Sequence, residues 1–246
     1  GLVVKDKQGN EYVWVEVPTN IYDNEAYNKE TTAGDKKPAS KEETEKIEYC
    51  LKKYARAYRA DGYADEYIED SIPGWFAGKT AYDNAKNTML KSVYENGGFY
   101  VGRYEAGISE FRTSNENEPT EVPSSKQNMI PYTNITRTQA KQLAEKVNAG
   151  GYTSSLMFGI QWDLVCKYLE VKGKLGTANI NSDSSAWGNY SNYNTANNYT
   201  EGTAGYEKNA GSLQNTGSSE NWKANNIYDL AGNCWEWTQE AFSTHY

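Results

Sequence analysis

Two tryptophans set two residues apart, just past a Gly-Asn turn, constrain this chain more than any other feature. The stretch 226–237 reads NIYDLAGNCWEW. Ile227, Tyr228 and Leu230 make an apolar approach, and Gly232 offers the Ala231, Gly232, Asn233 turn a residue free to take positive φ. Cys234, Trp235, Glu236 and Trp237 then resume an extended, aromatic run. Residues i and i+2 of an extended chain share a face, so Trp235 and Trp237 are expected to point together into a core, with Glu236 on the opposite face.

A chain of 246 residues is long enough to bury one large core. Only 37% of it is hydrophobic and the mean hydropathy is -0.87, so that core must draw on the 21 Tyr and 7 Trp more than on Leu and Ile. The excess of Tyr, Asn, Gly, Ser and Thr resembles the composition of extracellular binding surfaces. A net charge of -8, with no basic cluster, argues against nucleic acid or an anionic membrane as partner. No run of 18 apolar residues is present, so no membrane insertion is expected, and residue 1 begins in strand-like sequence without the pattern of a signal peptide. Three cysteines, Cys50, Cys166 and Cys234, are too few for a disulfide framework.

Taken in order, residues 1–18 read as a hairpin, LVVKD and EYVWVEV around the turn KQGN. Residues 20–40 are polar and are expected to be a flexible excursion that carries no core. Ser40 opens a capping-box pattern, and Ile47, Cys50, Leu51, Tyr54 and Tyr58 form the apolar face of the helix that follows. A second helix is expected over 83–94, making 40–95 a helical insert ahead of the main sheet. Residues 97–107 alternate as a strand, and 111–129 read as a solvated loop. Thr136 or Thr138 is expected to cap a helix that buries Ala140, Leu143, Ala144 and Val147. Trp162, Val165, Cys166 and Leu169 fall at helical spacing, which makes Cys166, like Cys50, a core residue rather than a reactive thiol.

Residues 174–224 are long, polar and rich in Gly and Asn, a pattern that in a compact domain signals disorder or function. The aromatics Trp187, Tyr190, Tyr193 and Tyr199 speak for an ordered surface loop pinned by Trp187, Gly188 and Asn189. Wide aromatic faces beside adaptable amides suit sugars or protein surfaces. Trp187, Asn189, Tyr190, Tyr193 and Tyr199 are therefore the candidate ligand-binding residues, weighed against a purely structural aromatic anchor.

The stretch 226–237 resembles the signature run of formylglycine-generating-enzyme-type domains, a branch of the C-type-lectin-like fold. The strand FYVGRYE and the order of later segments are similar to the same family over residues 97–240, although Gln161, Trp162 and Asp163 stand where the family has Glu-Trp-Glu. The resemblance implies one α+β domain over 1–246, with the body at 97–240, a small twisted antiparallel sheet, flanking helices and long irregular loops. Inward indoles at Trp235 and Trp237 are the condition on which this scaffold reading, and the recognition role with it, depends.

The resemblance also implies a Ca2+ site in which Asp229 and Glu236 give side-chain oxygens and Gly232 and Cys234 give backbone carbonyls, against the alternative of a turn Asp and a solvated Glu. The family's oxidases carry a reactive cysteine pair downstream of the tryptophan strand. This chain ends at Tyr246, so the pair and the closing strands are absent from it, and no catalytic residue is assigned. The sole histidine, His245, sits one residue from the end and excludes an ordinary His-based triad or zinc cluster.

The expected role is a non-enzymatic module that recognises a protein or glycan ligand on a cell surface. The resemblance extends to the variable proteins of bacterial and phage diversity-generating retroelements, which implies a cell-surface, secreted or virion-associated location. The alternatives are an oxidase homologue without its cysteine tail and a structural surface domain whose loops bind nothing specific. None of these readings gives an oligomeric state.

Overall fold

Alternation at the start of the chain produces a hairpin whose valines face inward. In the computed structural model, β1 (Val3–Lys5) pairs antiparallel with β2 (Glu11–Glu16) in the register Val3 to Val13 and Lys5 to Glu11. Gly9, at φ 88°, supplies the turn, and Val13, Val15 and Val17 are buried. The structure describes residues 1–33, 37, 43–55, 58, 63–64, 67, 75–147, 151–173, 175–176, 180 and 184–242. The expected cap at Ser40 and the terminal His245 lie outside them.

Short helices and small antiparallel sheets follow, which makes the chain α+β. In order they are α1 (Glu25–Asn28), α2 (Glu43–Ala55), β3 (Tyr63–Ala64), α3 (Lys79–Asn96), β4 (Gly98–Gly102), β5 (Gly107–Ile108) and β6 (Ile130–Pro131). Then come α4 (Arg137–Ala144), α5 (Gly159–Val171), α6 (Tyr193–Ala196), β7 (Lys223–Ala224), β8 (Ile227–Tyr228) and β9 (Ala241–Phe242). One sheet has the order β1-β2-β4, and β3-β9, β5-β6 and β7-β8 form two-stranded pairs. Among the described residues no helix is long and apolar enough to cross a membrane.

The chain divides into two units. One comprises residues 15–99, 157–168 and 238–246. Its core is helical: Ile47 and Leu51 of α2, at i and i+4, meet Tyr82, Leu90 and Val93 of α3 and Ile160 and Leu164 of α5. Trp75, Tyr82 and Phe158 knit this core, Trp75 tilted against Tyr82 and Tyr82 edge to face with Phe158, their ring centres 5.5 Å apart. Helix α3 stops at Gly97, whose φ of 69° and N–H to the Val93 carbonyl end it in a left-handed cap. Cys50 and Cys166 are buried, as their place on apolar helix faces implied.

Two expectations are corrected here. Residues 20–40 do contribute to the core, because Pro18 starts a 3-10 turn at Thr19–Tyr22 that drives Ile21 inward, with Tyr22 and Tyr27 packed beside it. Polarity averaged over a segment conceals a single well-placed Ile. Helix α4 buries only Leu143 of its four expected core residues, although its start is as read: Thr136 and Gln139 form a reciprocal capping box.

The other unit comprises residues 1–14, 100–156 and 169–237 and is poor in ladders. Its turns are made by asparagine as well as glycine. Among the described residues, all seven non-glycine residues with positive φ are Asn or Asp, namely Asn128, Asn134, Asn198, Asn225, Asn226, Asp229 and Asn233. Short polar side chains tolerate this left-handed region where others resist it. Asn225 and Asn226, at φ 47° and 74°, make the two-residue hairpin between β7 and β8, a turn whose twist matches its strands.

Ile21→Ala is expected to lower the unfolding free energy by ~2–4 kcal/mol in urea titrations, as for other fully buried aliphatic truncations. A loss within about 0.5 kcal/mol, typical of an exposed position, would place residue 21 outside the core.

Candidate functional site

The chain after β8 folds into a corner built on three successive turn residues. Asp229 is left-handed at φ 57° and donates its N–H to the Trp222 carbonyl at 2.9 Å. Gly232 and Asn233 follow at φ 80° and 60°. This corner meets a second Gly-Asn pair, Gly188 and Asn189, through a parallel bridge between Asn189 and Gly232. Both glycines are required by proximity. A Cβ on Gly188 would stand 2.5 Å from the Ala231 carbonyl oxygen, and one on Gly232 would stand 2.5 Å from that of Asn189.

The two asparagine side chains tie the corner together. Asn189 Oδ1 accepts the Gly211 N–H at 2.7 Å, while its Nδ2 donates to the Ser212 carbonyl at 2.9 Å and to Asn233 Oδ1 at 2.8 Å. Asn233 Oδ1 also accepts the Gln214 N–H at 2.9 Å, and Asn233 Nδ2 donates to Glu105 Oε2 at 2.6 Å. Glu105 completes the set by accepting the Cys234 N–H on Oε1 at 3.2 Å. An amide that both donates and accepts can join three chain segments at once, which a hydroxyl or carboxylate cannot do with the same reach.

Packing delivers Glu105 to this place. The Tyr228 N–H donates to the Arg103 carbonyl, and the rings of Tyr104 and Tyr228 stack with centres 5.0 Å apart. The Arg103 guanidinium lies 5.4 Å from each of those ring centres and is held by Glu11 at 2.6 Å. The residue after this stack therefore meets the corner.

Three carboxyl groups, those of Glu105, Asp229 and Glu236, gather there. Burial pushes Glu105 up to about 8, against the hydrogen bond from Asn233 and with the charge of Asp229 adding to the rise. Asp229 is buried, accepts the Gly217 N–H on Oδ2 at 2.6 Å, and is pushed up to about 6 by desolvation. The Glu236 carboxyl is raised well above the usual range, first by desolvation and then by the charges of Glu105 and Asp229. Glu236 as a residue keeps exposed surface, and solvent reaching it from outside tempers that rise. Cys234 is pushed up to about 12 by burial and by the same acids, so its thiol stays protonated and is a poor nucleophile.

The expected parity of the tryptophans is overturned. Trp235 is fully exposed and Trp237 is 49% exposed, with its Nε1–H donating to the Ile135 carbonyl at 3.1 Å. The reason lies one residue earlier. Cys234 is half-buried and shares its N–H between the Gly232 carbonyl at 2.8 Å and Glu105 Oε1 at 3.2 Å, so Glu236, two residues on, turns its carboxyl to the same side and leaves both indoles outside. No ladder extends over 235–238 to impose the opposite choice.

The loop over 184–222 is ordered and is pinned through Asn189. Of the residues expected to bind ligand, Trp187, Asn189 and Tyr193 are buried, and Tyr199 is half-buried with its ring 6.2 Å from that of Tyr193. Tyr190, at 38%, is the exposed member. Burial withdraws the first three from a ligand in this conformation. Sequence reasoning missed Glu105, and the cue was present in the strand FYVGRYE: an acidic residue directly after the aromatic and basic pair that stacks on Tyr228.

The calcium ligands implied by the resemblance are brought near one another only in part. Asp229 and Glu236 couple electrostatically, whereas the Gly232 carbonyl already accepts the Cys234 N–H at 2.8 Å. Among the described residues no group of three His, Cys, Asp or Glu side chains converges as metal ligands do. The all-oxygen donor chemistry suits a hard cation; the convergence does not.

No family model, curated protein or solved structure matches this chain. Functional argument therefore rests on the corner itself.

Groups whose folded pKa lies above the unfolded value stabilise the fold while protonated and lose that contribution as pH rises through the folded pKa. Glu105 and Asp229 are both of this kind, so stability is expected to fall between about pH 5 and pH 8, by on the order of 5 kcal/mol. Glu105→Gln should flatten the upper part of that slope. A flat or rising wild-type profile in urea titrations across this range would contradict it. Gly232→Ala, which meets both a positive φ and the Asn189 carbonyl, is expected to cost roughly 2–4 kcal/mol. A loss under about 1 kcal/mol, the usual scale of the φ effect alone, would mean that the two turns are not in contact.

Proposed function

We propose that the chain is a ligand-recognition module, displayed on a cell or virion surface, on an α+β scaffold of the C-type-lectin-like, formylglycine-generating-enzyme type. The observation that carries the reading is the pair of indoles, Trp235 and Trp237, held in solvent beside a corner tied through Asn233 and Glu105. Exposed tryptophans beside a rigid turn offer wide contact area at low entropic cost, which is what a recognition surface needs. The same observation removes the inward indoles on which the scaffold reading and its recognition role depended, so recognition is proposed here on the exposed indoles themselves. That part of the proposal now rests on segment order and on the Gly-Asn corner. The recognition surface moves from the buried residues of the 187–199 loop to Trp235 and Trp237, with Tyr190 on the loop.

Likeness to the variable proteins of diversity-generating retroelements belongs to this proposal and stands on the same residues. The oxidase alternative gains nothing from Cys234, whose thiol is held protonated. Calcium also belongs to the proposal as the resemblance implies it, on the side chains of Asp229 and Glu236 with the Gly232 and Cys234 carbonyls, although the Gly232 carbonyl already accepts the Cys234 N–H.

Binding scans over glycan arrays and host-cell surfaces test the role. The wild-type chain is expected to give reproducible hits that weaken at least about tenfold in a Trp235→Ala, Trp237→Ala double variant, the scale of central interface aromatics. The double variant should keep its stability within about 0.5 kcal/mol, because the indoles contribute little to the core. Absence of any reproducible hit would leave only a scaffold role, and hits untouched by the double variant would move the binding face elsewhere. For the metal, thermal melts in millimolar calcium and in chelator are expected to separate, by about 2.7 kcal/mol at a hundredfold excess over Kd. Coincident melts would remove calcium from the reading.

A further inference from the structure

We draw no further inference here: the strongest candidate, the solvent-facing surface of Trp235 and Trp237 after the Gly232 and Asn233 turn, belongs to the recognition surface already described, and nothing in the structure shows what covers it.

Discussion

The side chain of Asn233 is the tie on which its unit depends. Its carbonyl oxygen receives Asn189 and Gln214, and its amide nitrogen reaches Glu105, so one planar group binds the strand FYVGRYE, the 184–222 loop and the 226–237 corner. This unit has few ladders, and residues in loops must find side-chain or local partners for backbone groups that sheets would otherwise satisfy. Asn189, Asn233, Asp229 and Glu105 supply those partners. A loop of this length can be ordered because its polar backbone is satisfied from within rather than by water.

The abundance of asparagine takes its meaning from this geometry. Beside Tyr, Ser and Gly, it resembled the composition of a binding surface, yet Asn128, Asn134, Asn198, Asn225, Asn226 and Asn233 each hold a left-handed turn and Asn189 is a buried cross-link. The same residue type serves ligand contact and turn construction equally well, and composition cannot separate the two. Trp187 and Tyr193 tell the same story, since aromatics that make a loop orderly do so by burying their faces.

What was legible in the sequence was local. The N-terminal hairpin, the core thiols Cys50 and Cys166, the Thr136 cap and the pinning of the long loop at Asn189 follow from alternation, helical spacing or capping chemistry within a few residues. What was not legible came from long-range capture. The outward turn of Trp235 and Trp237 goes with the half-burial of Cys234, whose N–H is shared by the Gly232 carbonyl and by Glu105, 129 residues earlier. Period-two alternation predicts which residues share a face but not which face is inside. Ile21 was hidden for a related reason: one apolar residue in a polar stretch has no periodicity to announce it.

Hydrogen exchange at four backbone amides tests the central claim most directly. Gly211, Gln214, Gly217 and Cys234 donate to side-chain oxygens of Asn189, Asn233, Asp229 and Glu105 rather than to any ladder. If the buried amide and carboxylate network holds this unit, all four exchange slowly in the native chain, and Asn233→Ala releases Gly211, Gln214 and Cys234 together. Exchange of these amides at the rate of an unstructured chain, or protection that survives Asn233→Ala unchanged, would contradict the account.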